Sequence, residues 1–161
     1  MGKLIEDNLN ITINGNLNFY KSQVTYLPNN LTVNGNVYCN QTLLTTLPNN
    51  LTVYGDLYIT HANITEIPDD LKVVRDLYIR ATQITIITKN LDVGGWIDLA
   101  YNPIHTLPDN FTTNRWLNIE GTDITKLPNN LTVNGSLWMQ NTKITKLPKS
   151  LEVKGEIHKD F

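Results

Sequence analysis

Residues 31–48 read LTVNGNVYCNQTLLTTLP, and the same pattern returns every 20 residues along the chain without insertion or deletion. A fixed short period means that each unit buries its apolar edge against the next unit instead of folding alone. The sequence therefore predicts a solenoid, in which core and surface positions can both be read from columns of equivalent residues. One unit can be written LxVxGxLxIxxTxIxxLPxx.

Apolar and polar positions alternate within each unit. The apolar columns include Leu31, Val33, Val37 and Cys39, and their equivalents in other units are mostly Leu, Ile and Val. Alternation at a period of two is typical of strands, because successive side chains point to opposite faces. Glycine separates the two apolar pairs in most units, and a Leu-Pro pair near the end of the unit indicates a turn.

A unit of 20 residues that is filled by extended and turn segments leaves no room for a helix of ordinary length. We therefore expect a mainly β fold, a leucine-rich-repeat-like parallel β-solenoid of about eight 20-residue coils with little or no α-helix. The array has no break in composition and no linker. A single domain over residues 1–161 is expected.

The segment Ile97–Pro108, IDLAYNPIHTLP, resembles the leucine-rich-repeat signature LxLxxNxLxxLP, and the resemblance extends over the whole chain. It is most similar to the short repeats of bacterial and bacteriophage proteins. The resemblance implies a parallel sheet on a concave face and an asparagine that hydrogen-bonds the backbone of neighbouring coils. Only Asn102 keeps that asparagine, so we expect a weaker ladder elsewhere. The regular apolar residue lies one place before the family's leucine, which suggests a second short strand in each coil.

Composition excludes several classes of function. The formal net charge is −2 with Lys and Arg dispersed along the chain, which argues against nucleic acid as a partner. There is no apolar run long enough to cross a membrane, and the opening residues MGKLIEDNLN lack the apolar segment of a signal peptide. We therefore expect no membrane partner and a cytoplasmic location, in the host cytoplasm if the protein is phage-encoded.

Reactive side chains do not converge in this pattern. Cys39 is the only cysteine and falls in an inward column, so a buried and inert thiol is expected rather than a nucleophile. His61, His105 and His158 lie in different columns and more than two coils apart. We expect no catalytic residue, no cofactor and no metal site, and interpret the chain as a non-enzyme. Threonine columns, such as the one beginning at Thr25, could form an ice-binding ladder, although β-propensity alone explains them.

The most variable columns lie on the outward side of the second strand of each unit. All three tryptophans fall there, together with Tyr, Asp and Arg. Exposed aromatic anchors among charged groups are typical of a binding surface. The alternative is that cross-strand aromatic stacks only stabilise the sheet. The predicted partner-binding residues are Tyr38, Tyr58, Tyr78, Arg80, Trp96, Asp98, Trp116, Glu120 and Trp138.

These patterns predict a non-enzymatic protein-binding module that uses an aromatic and acidic concave strand face. The resemblance suggests a phage or bacterial protein that binds and inhibits a cytosolic host factor, such as a defence protein. The alternative function is a carbohydrate-binding or adhesive module in which tryptophans stack on sugar rings. Charged residues gather in the last coil, where Lys159 replaces an inward apolar residue, so we expect any homo-oligomer to use the N-terminal edge.

Overall fold

The computed structural model describes residues 9–161, and within that range it contains sixteen short β-strands and no helix. The amino-terminal sequence discussed above therefore lies largely outside the described residues. No helix in the described range is long and apolar enough to cross a membrane. The strands are β1 (Ile11–Ile13), β2 (Leu17–Asn18), β3 (Leu31–Val33), β4 (Val37–Tyr38), β5 (Thr52–Val53), β6 (Leu57–Thr60), β7 (Lys72–Val73), β8 (Leu77–Arg80), β9 (Asp92–Val93), β10 (Ile97–Asp98), β11 (Thr112–Thr113), β12 (Leu117–Asn118), β13 (Thr132–Val133), β14 (Leu137–Trp138), β15 (Glu152–Val153) and β16 (Ile157–His158).

The strands pair in parallel with their equivalents in the neighbouring coils. The even-numbered strands form one eight-stranded sheet, here called the front sheet. The odd-numbered strands form a second layer that is divided into a five-stranded sheet, β1 to β9, and a three-stranded sheet, β11 to β15. The register joins residues that are one repeat apart, such as Tyr38 with Tyr58. The structure thus confirms a helix-free parallel β-solenoid with two strands per coil and about seven turns.

The core is the interior of the solenoid and runs continuously along its axis. Leu57, Ile59, Leu77 and Ile79, on neighbouring front strands, are all 0 % exposed. Their alternate neighbours on the same strands point outward and remain half-buried. The alternation that predicted strands therefore also separates core from surface correctly.

A left-handed backbone residue follows each of the first seven front strands at the point where the coil turns. This column has positive φ throughout, and Gly121 is its only glycine. The residue after it is usually buried, as at Thr82, Asn102 and Thr122. The column consists of Lys21, Gln41, His61, Ala81, Tyr101, Gly121 and Asn141.

Asn102 ties its coil to the preceding one through the buried turn. Its side-chain amide donates to the carbonyls of Ile79 at 2.7 Å and Leu99 at 2.9 Å, and its oxygen accepts from the Thr82 backbone N–H at 2.8 Å. The hydroxyl of Thr122 donates only to the Ile119 carbonyl of its own coil, at 2.8 Å. The expectation of a weaker ladder away from the asparagine is confirmed.

The glycine column lies at the bend between the two strands of each coil, where neighbouring backbones come very close. A Cβ on Gly35 would lie 2.5 Å from the carbonyl oxygen of Gly15, so that only glycine fits there. The column is interrupted by Arg75 and by Arg115, and the second layer divides at the coil that carries Arg115. At that division the Val93 carbonyl accepts a hydrogen bond from the side chain of Asn114 at 2.7 Å.

Candidate functional site

Three tyrosines form a stack along the first half of the front sheet. The parallel register places Tyr38, Tyr58 and Tyr78 over one another, with ring centroids 5.1 and 4.7 Å apart and the ring planes nearly parallel. The amide of Asn36 donates to the Tyr38 hydroxyl at 2.9 Å, and the Tyr58 hydroxyl donates to Asp56 at 3.2 Å. The tyrosines are therefore part of the framework of the sheet, as the stabilising alternative supposes.

Burial and neighbouring carboxylates affect the ionisation of these tyrosines. Burial, together with the charge of Asp56 and the hydrogen bond to it, raises the pKa of Tyr58 to about 12. Burial and the nearby carboxylate of Asp76 also raise the pKa of Tyr78. Both phenols therefore remain neutral hydrogen-bond donors at physiological pH.

The column beside the tyrosines is a hydrogen-bond ladder. The side-chain oxygen of Asn16 accepts from the backbone N–H of Asn36 at 2.8 Å. In the same way, the backbone N–H of Asp56 donates to the side chain of Asn36 at 2.9 Å, that of Asp76 to the side chain of Asp56 at 3.2 Å, and that of Trp96 to the side chain of Asp76 at 2.8 Å. Trp96 ends this series because an indole has no acceptor. The first four members of the column, interpreted from sequence as variable binding surface, thus join the coils to one another.

The tryptophans form a second stack, which begins where the ladder ends. The rings of Trp96 and Trp116 lie 4.5 Å apart with an interplanar angle of 2°. Trp138 lies in the neighbouring column, 4.7 Å from Trp116 and tilted by 53° to it. It stacks in turn on His158, at 4.8 Å and 7°. The stack therefore crosses from the ladder column to the central column of the front sheet.

A groove opens between the two stacks. Asp98 and Asn118 occupy the central column where two further rings would continue from Tyr78. Their smaller side chains leave a depression of about 310 Å³. We call it the tryptophan groove, and it is lined by Tyr78, Trp96, Ile97, Asp98, Trp116, Asn118, Glu120 and Trp138.

An ion pair and a ring fix the carboxylate of Asp98 in this groove. Nη1 of Arg80 lies 3.1 Å from Oδ2 of Asp98, whose side chain is only 15 % exposed. The other carboxylate oxygen accepts from the backbone N–H of Ala100 at 3.0 Å. The Arg80 guanidinium also lies over the ring of Tyr101, 4.9 Å from its centroid.

Glu120 differs from Asp98 in having only neutral partners. Its Oε1 accepts from the Tyr101 hydroxyl at 2.5 Å and from the Asn141 amide at 3.4 Å. The hydrogen bond to Glu120 raises the pKa of the Tyr101 phenol. Within residues 9–161, no Lys or Arg forms an ion pair with Glu120. The carboxylate of Glu120 therefore has no ion-pair partner among the described residues.

The structure brings together six of the nine predicted residues: Tyr78, Trp96, Asp98, Trp116, Glu120 and Trp138 all line the groove. Arg80 lies beside it, whereas Tyr38 and Tyr58 lie outside it, in the tyrosine stack. Sequence reasoning did not select Asn118, Tyr101 or Asn141. Asn118 stands in the central column, and its small size beside Asp98 was the available signal. For Tyr101 and Asn141 the only signal was Gly121 in the same column, a weak sign of left-handed backbone.

Other chemistry in the chain is confined to the core or dispersed. Cys39 is 0 % exposed, and burial raises the pKa of its thiol to about 12. This confirms the buried thiol expected from its column. In the part of the chain that the structure describes, no group of three or more His, Cys, Asp or Glu side chains could hold a metal ion.

No protein-family model matches the sequence, and no curated protein matches it either. The resemblance to leucine-rich repeats therefore rests on the repeat signature itself. What the structure establishes is the coarser description, a parallel β-solenoid with a spacing of about 20 residues.

Proposed function

We propose that this chain is a non-enzymatic protein-binding module and that the tryptophan groove is the centre of its binding surface. The observation that carries the proposal is the interruption of the aromatic column at Asp98 and Asn118. A sheet built only for stability would continue the ring stack, since each aromatic pair contributes about 0.5–1.5 kcal/mol beyond burial. Here that contact is absent, and all three tryptophans surround the resulting groove.

The exposure of the tryptophans supports a role as anchors. Trp116 is 41 % exposed, and Trp96 and Trp138 are half-buried. Aromatic side chains near the centre of a patch usually provide most of the energy of an interface, and polar groups around them exclude water. Arg80, Glu120 and other polar side chains lie beside the tryptophans in that arrangement.

The dimensions of this face favour a protruding partner. Eight strands at a spacing of about 4.8 Å and five residues across give a strip of roughly 34 by 13 Å, or about 440 Å². A standard interface buries about 800 Å² on each partner. An extended segment or loop that enters the groove therefore suits this face better than a flat domain surface.

Ring stacking limits the carbohydrate-binding alternative to the faces of Tyr78 and Trp138 that remain open at the groove. A sugar stacks on an open aromatic face, but Trp96 and Trp116 cover one face of each other. His158 covers one face of Trp138 in the same way. The acidic side chains of the groove, Asp98 and Glu120, both accept hydrogen bonds from neighbouring residues, so we propose a binding role for them and not an enzymatic one.

We also propose that the chain is related to the short leucine-rich repeats of bacterial and bacteriophage proteins. The motif Ile97–Pro108 and the backbone hydrogen bonds of Asn102 support this relation. By analogy, the partner would be a cytosolic host factor that the chain inhibits, and the chain would act in the host cytoplasm.

The proposal can be tested by affinity capture from bacterial lysate on immobilised protein. We expect wild type and the Lys126→Ala variant to retain the same protein, because Lys126 is exposed and lies outside both sheet layers. Trp96→Ala/Trp116→Ala and Asn118→Tyr should lose it. Asn118→Tyr is the sharper variant, because it fills the groove with another ring instead of removing one.

Two outcomes would contradict the proposal. Loss of the captured protein with Lys126→Ala, but not with the groove variants, would place the binding surface elsewhere. Release of the captured material by simple sugars would replace protein binding by the carbohydrate alternative. Circular dichroism of each variant establishes that the β-solenoid is intact before either result is interpreted.

A further inference from the structure

We propose that the tryptophan groove accepts a guanidinium group, presented by an arginine of the partner's extended segment. This inference deepens the proposed function and rests on it. It identifies the chemical group that occupies the centre of the binding surface, and its support comes from charge, from ring faces and from an arrangement that the chain already uses.

The charge of the front face is strongly acidic compared with that of the whole chain. Its three outward columns contain six carboxylates and one arginine, whereas the whole chain has a formal net charge of only −2. The carboxylates are Asp56, Asp76, Asp98, Glu120, Glu156 and Asp160, and the arginine is Arg80. Arg75, from outside these columns, forms an ion pair with Asp56 at 3.4 Å. A partner group that meets this face must be cationic to be attracted to it.

Within the groove, the charge is concentrated on two carboxylates. Asp98 and Glu120 line it, and no Lys or Arg does. Asp98 is balanced by Arg80 from the side, at 3.1 Å, but the described partners of Glu120 are neutral. A half-buried carboxylate among aromatic rings is a strong acceptor for a charge-assisted hydrogen bond. Glu120 is therefore the group that a partner's guanidinium would reach.

Aromatic faces are available at the ends of the groove. One face of Tyr78 is covered by Tyr58, but the next coil carries Asp98 in that column instead of a ring. Trp138 is tilted by 53° to Trp116, so these two rings do not cover each other fully. A cation prefers the face of an aromatic ring, and tryptophan is the best partner. The groove therefore combines cation-binding faces with carboxylates.

The chain itself already holds one guanidinium in this way. Arg80 contacts the carboxylate of Asp98 at 3.1 Å and lies 4.9 Å from the ring centroid of Tyr101. The groove offers the same pair of partners, a carboxylate and a ring, in the absence of a resident cation on its lining. An anionic partner group is disfavoured in the groove, because its lining carries two carboxylates and no Lys or Arg. Arg75 and Arg115 line a neighbouring cleft that shares Trp96 with the groove.

Intrinsic fluorescence can test this inference directly, because all three tryptophans of the chain line the groove. The probe is Nα-acetyl-arginine amide, and its matched control is Nα-acetyl-citrulline amide, which has nearly the same shape but no charge. We expect a saturable change with the arginine probe, with a dissociation constant on the order of 1 mM. The citrulline probe should bind at least about fivefold more weakly, since the loss of a charged hydrogen bond costs roughly 1 kcal/mol or more.

Two substitutions locate the response. Glu120→Gln should weaken arginine binding at least about fivefold, because it removes the charge and keeps the shape. Glu152→Gln is the matched control, since Glu152 is exposed on β15, away from the front sheet, and should leave the response unchanged. Higher salt should weaken the binding of the arginine probe.

The inference would be overturned by equal responses to the arginine and citrulline probes, by no saturable response, or by unchanged binding in Glu120→Gln. If Nα-acetyl-lysine amide binds more strongly than the arginine probe, the groove prefers an ammonium group and the guanidinium inference is wrong. A captured protein that depends on the groove but not on Glu120 would leave the proposed function intact and refute this inference alone. If the arginine probe binds but the Asn118→Tyr variant captures the same proteins as wild type, the proposed function is refuted instead.

Discussion

Tyr58 shows how a single side chain couples the sheet to pH. Its pKa is raised from 10.0 to about 12, so the folded state holds the phenolic proton more tightly than the unfolded chain does. The resulting stabilisation is fully present below about pH 10 and is lost as the pH rises towards 12. The sign follows from the raised pKa, because the unfolded chain releases this proton first.

We predict that Tyr58→Phe reduces the alkaline loss of stability. Between about pH 9 and about pH 12, wild type should lose more free energy of unfolding than the variant does. Urea unfolding at several pH values measures the difference. Tyr26→Phe is the control, because that ring is 71 % exposed and lies outside the stack. Parallel curves for wild type and Tyr58→Phe would show that this phenol is not protected by the fold.

Cys39 should be unreactive in the folded protein. Its thiol is 0 % exposed and has a pKa of about 12, so almost no thiolate reaches solvent at neutral pH. An aromatic disulfide reagent should label it slowly in buffer and rapidly in denaturing urea. Rapid stoichiometric labelling in buffer alone would mean that the coil containing Cys39 opens readily.

At the scale of single residues, the sequence predicted where side chains lie better than it predicted their hydrogen-bond partners. The columns correctly placed Tyr38 over Tyr58 and Cys39 in the core, because the repeat has no insertions to shift the register. They did not reveal that Asp56 and Asp76 accept hydrogen bonds from the next coil. A column fixes which face a side chain occupies, but not whether its carboxylate points along the sheet or away from it.

At the scale of elements, the turn after each front strand separates strong from weak connections between coils. Asn102→Ala leaves two carbonyls, one backbone N–H and the hydroxyl of Thr82 without this partner. We expect it to cost at least about 2 kcal/mol of unfolding free energy. Thr122→Ala, in the equivalent position, removes one hydroxyl bond and should cost about 1 kcal/mol. Equal urea midpoints for the two variants would contradict this reading.

The presence of a second strand in each coil could be predicted, but the division of the second layer into two sheets could not. The displaced apolar column correctly indicated an additional strand. The separation of β9 from β11 could not be predicted, because it depends on the Asn114 side chain taking over the Val93 carbonyl in the coil that carries Arg115. That division occurs in the same two coils as Trp96 and Trp116, so the irregularities of the array coincide with its candidate site.

At the scale of the whole molecule, both ends of the front sheet are open edges. The backbone N–H groups of Leu17 and Phe19 donate to the following coil, to Asn36 at 2.8 Å and to Tyr38 at 2.7 Å. The backbone N–H groups of Asn36 and Asp56 point the other way, to side chains of the preceding coil. Each end of the sheet therefore presents both donors and acceptors, and the side chains decide which end can pair further. Lys159 lies exposed in the last coil, where a lysine discourages further pairing.

We predict that any self-association uses the N-terminal edge. Phe19 lies in the same column as Lys159, so Phe19→Lys reproduces in the first coil the charge found in the last. This variant should be monomeric by light scattering at concentrations where wild type associates. A strictly monomeric wild type at high concentration, or association that persists in Phe19→Lys, would count against this edge.

The overall fold was predictable because one fixed period specifies strands, register and core together. The tryptophan groove was less so, because it exists only where two small residues of one column lie beside two tryptophans of another. Each of those columns reads as ordinary variation by itself. Their juxtaposition, with Glu120 and Tyr101 completing one side, emerges only when the coils are stacked.

The most direct test of the central claim is the affinity between this chain and the protein that it captures, measured by isothermal titration calorimetry. Trp96→Ala should weaken binding by at least about 1 to 2 kcal/mol, because it removes an anchor of the groove. Lys126→Ala should change it by less than about 0.5 kcal/mol. The contradicting result is full affinity in Trp96→Ala together with a clear loss in Lys126→Ala.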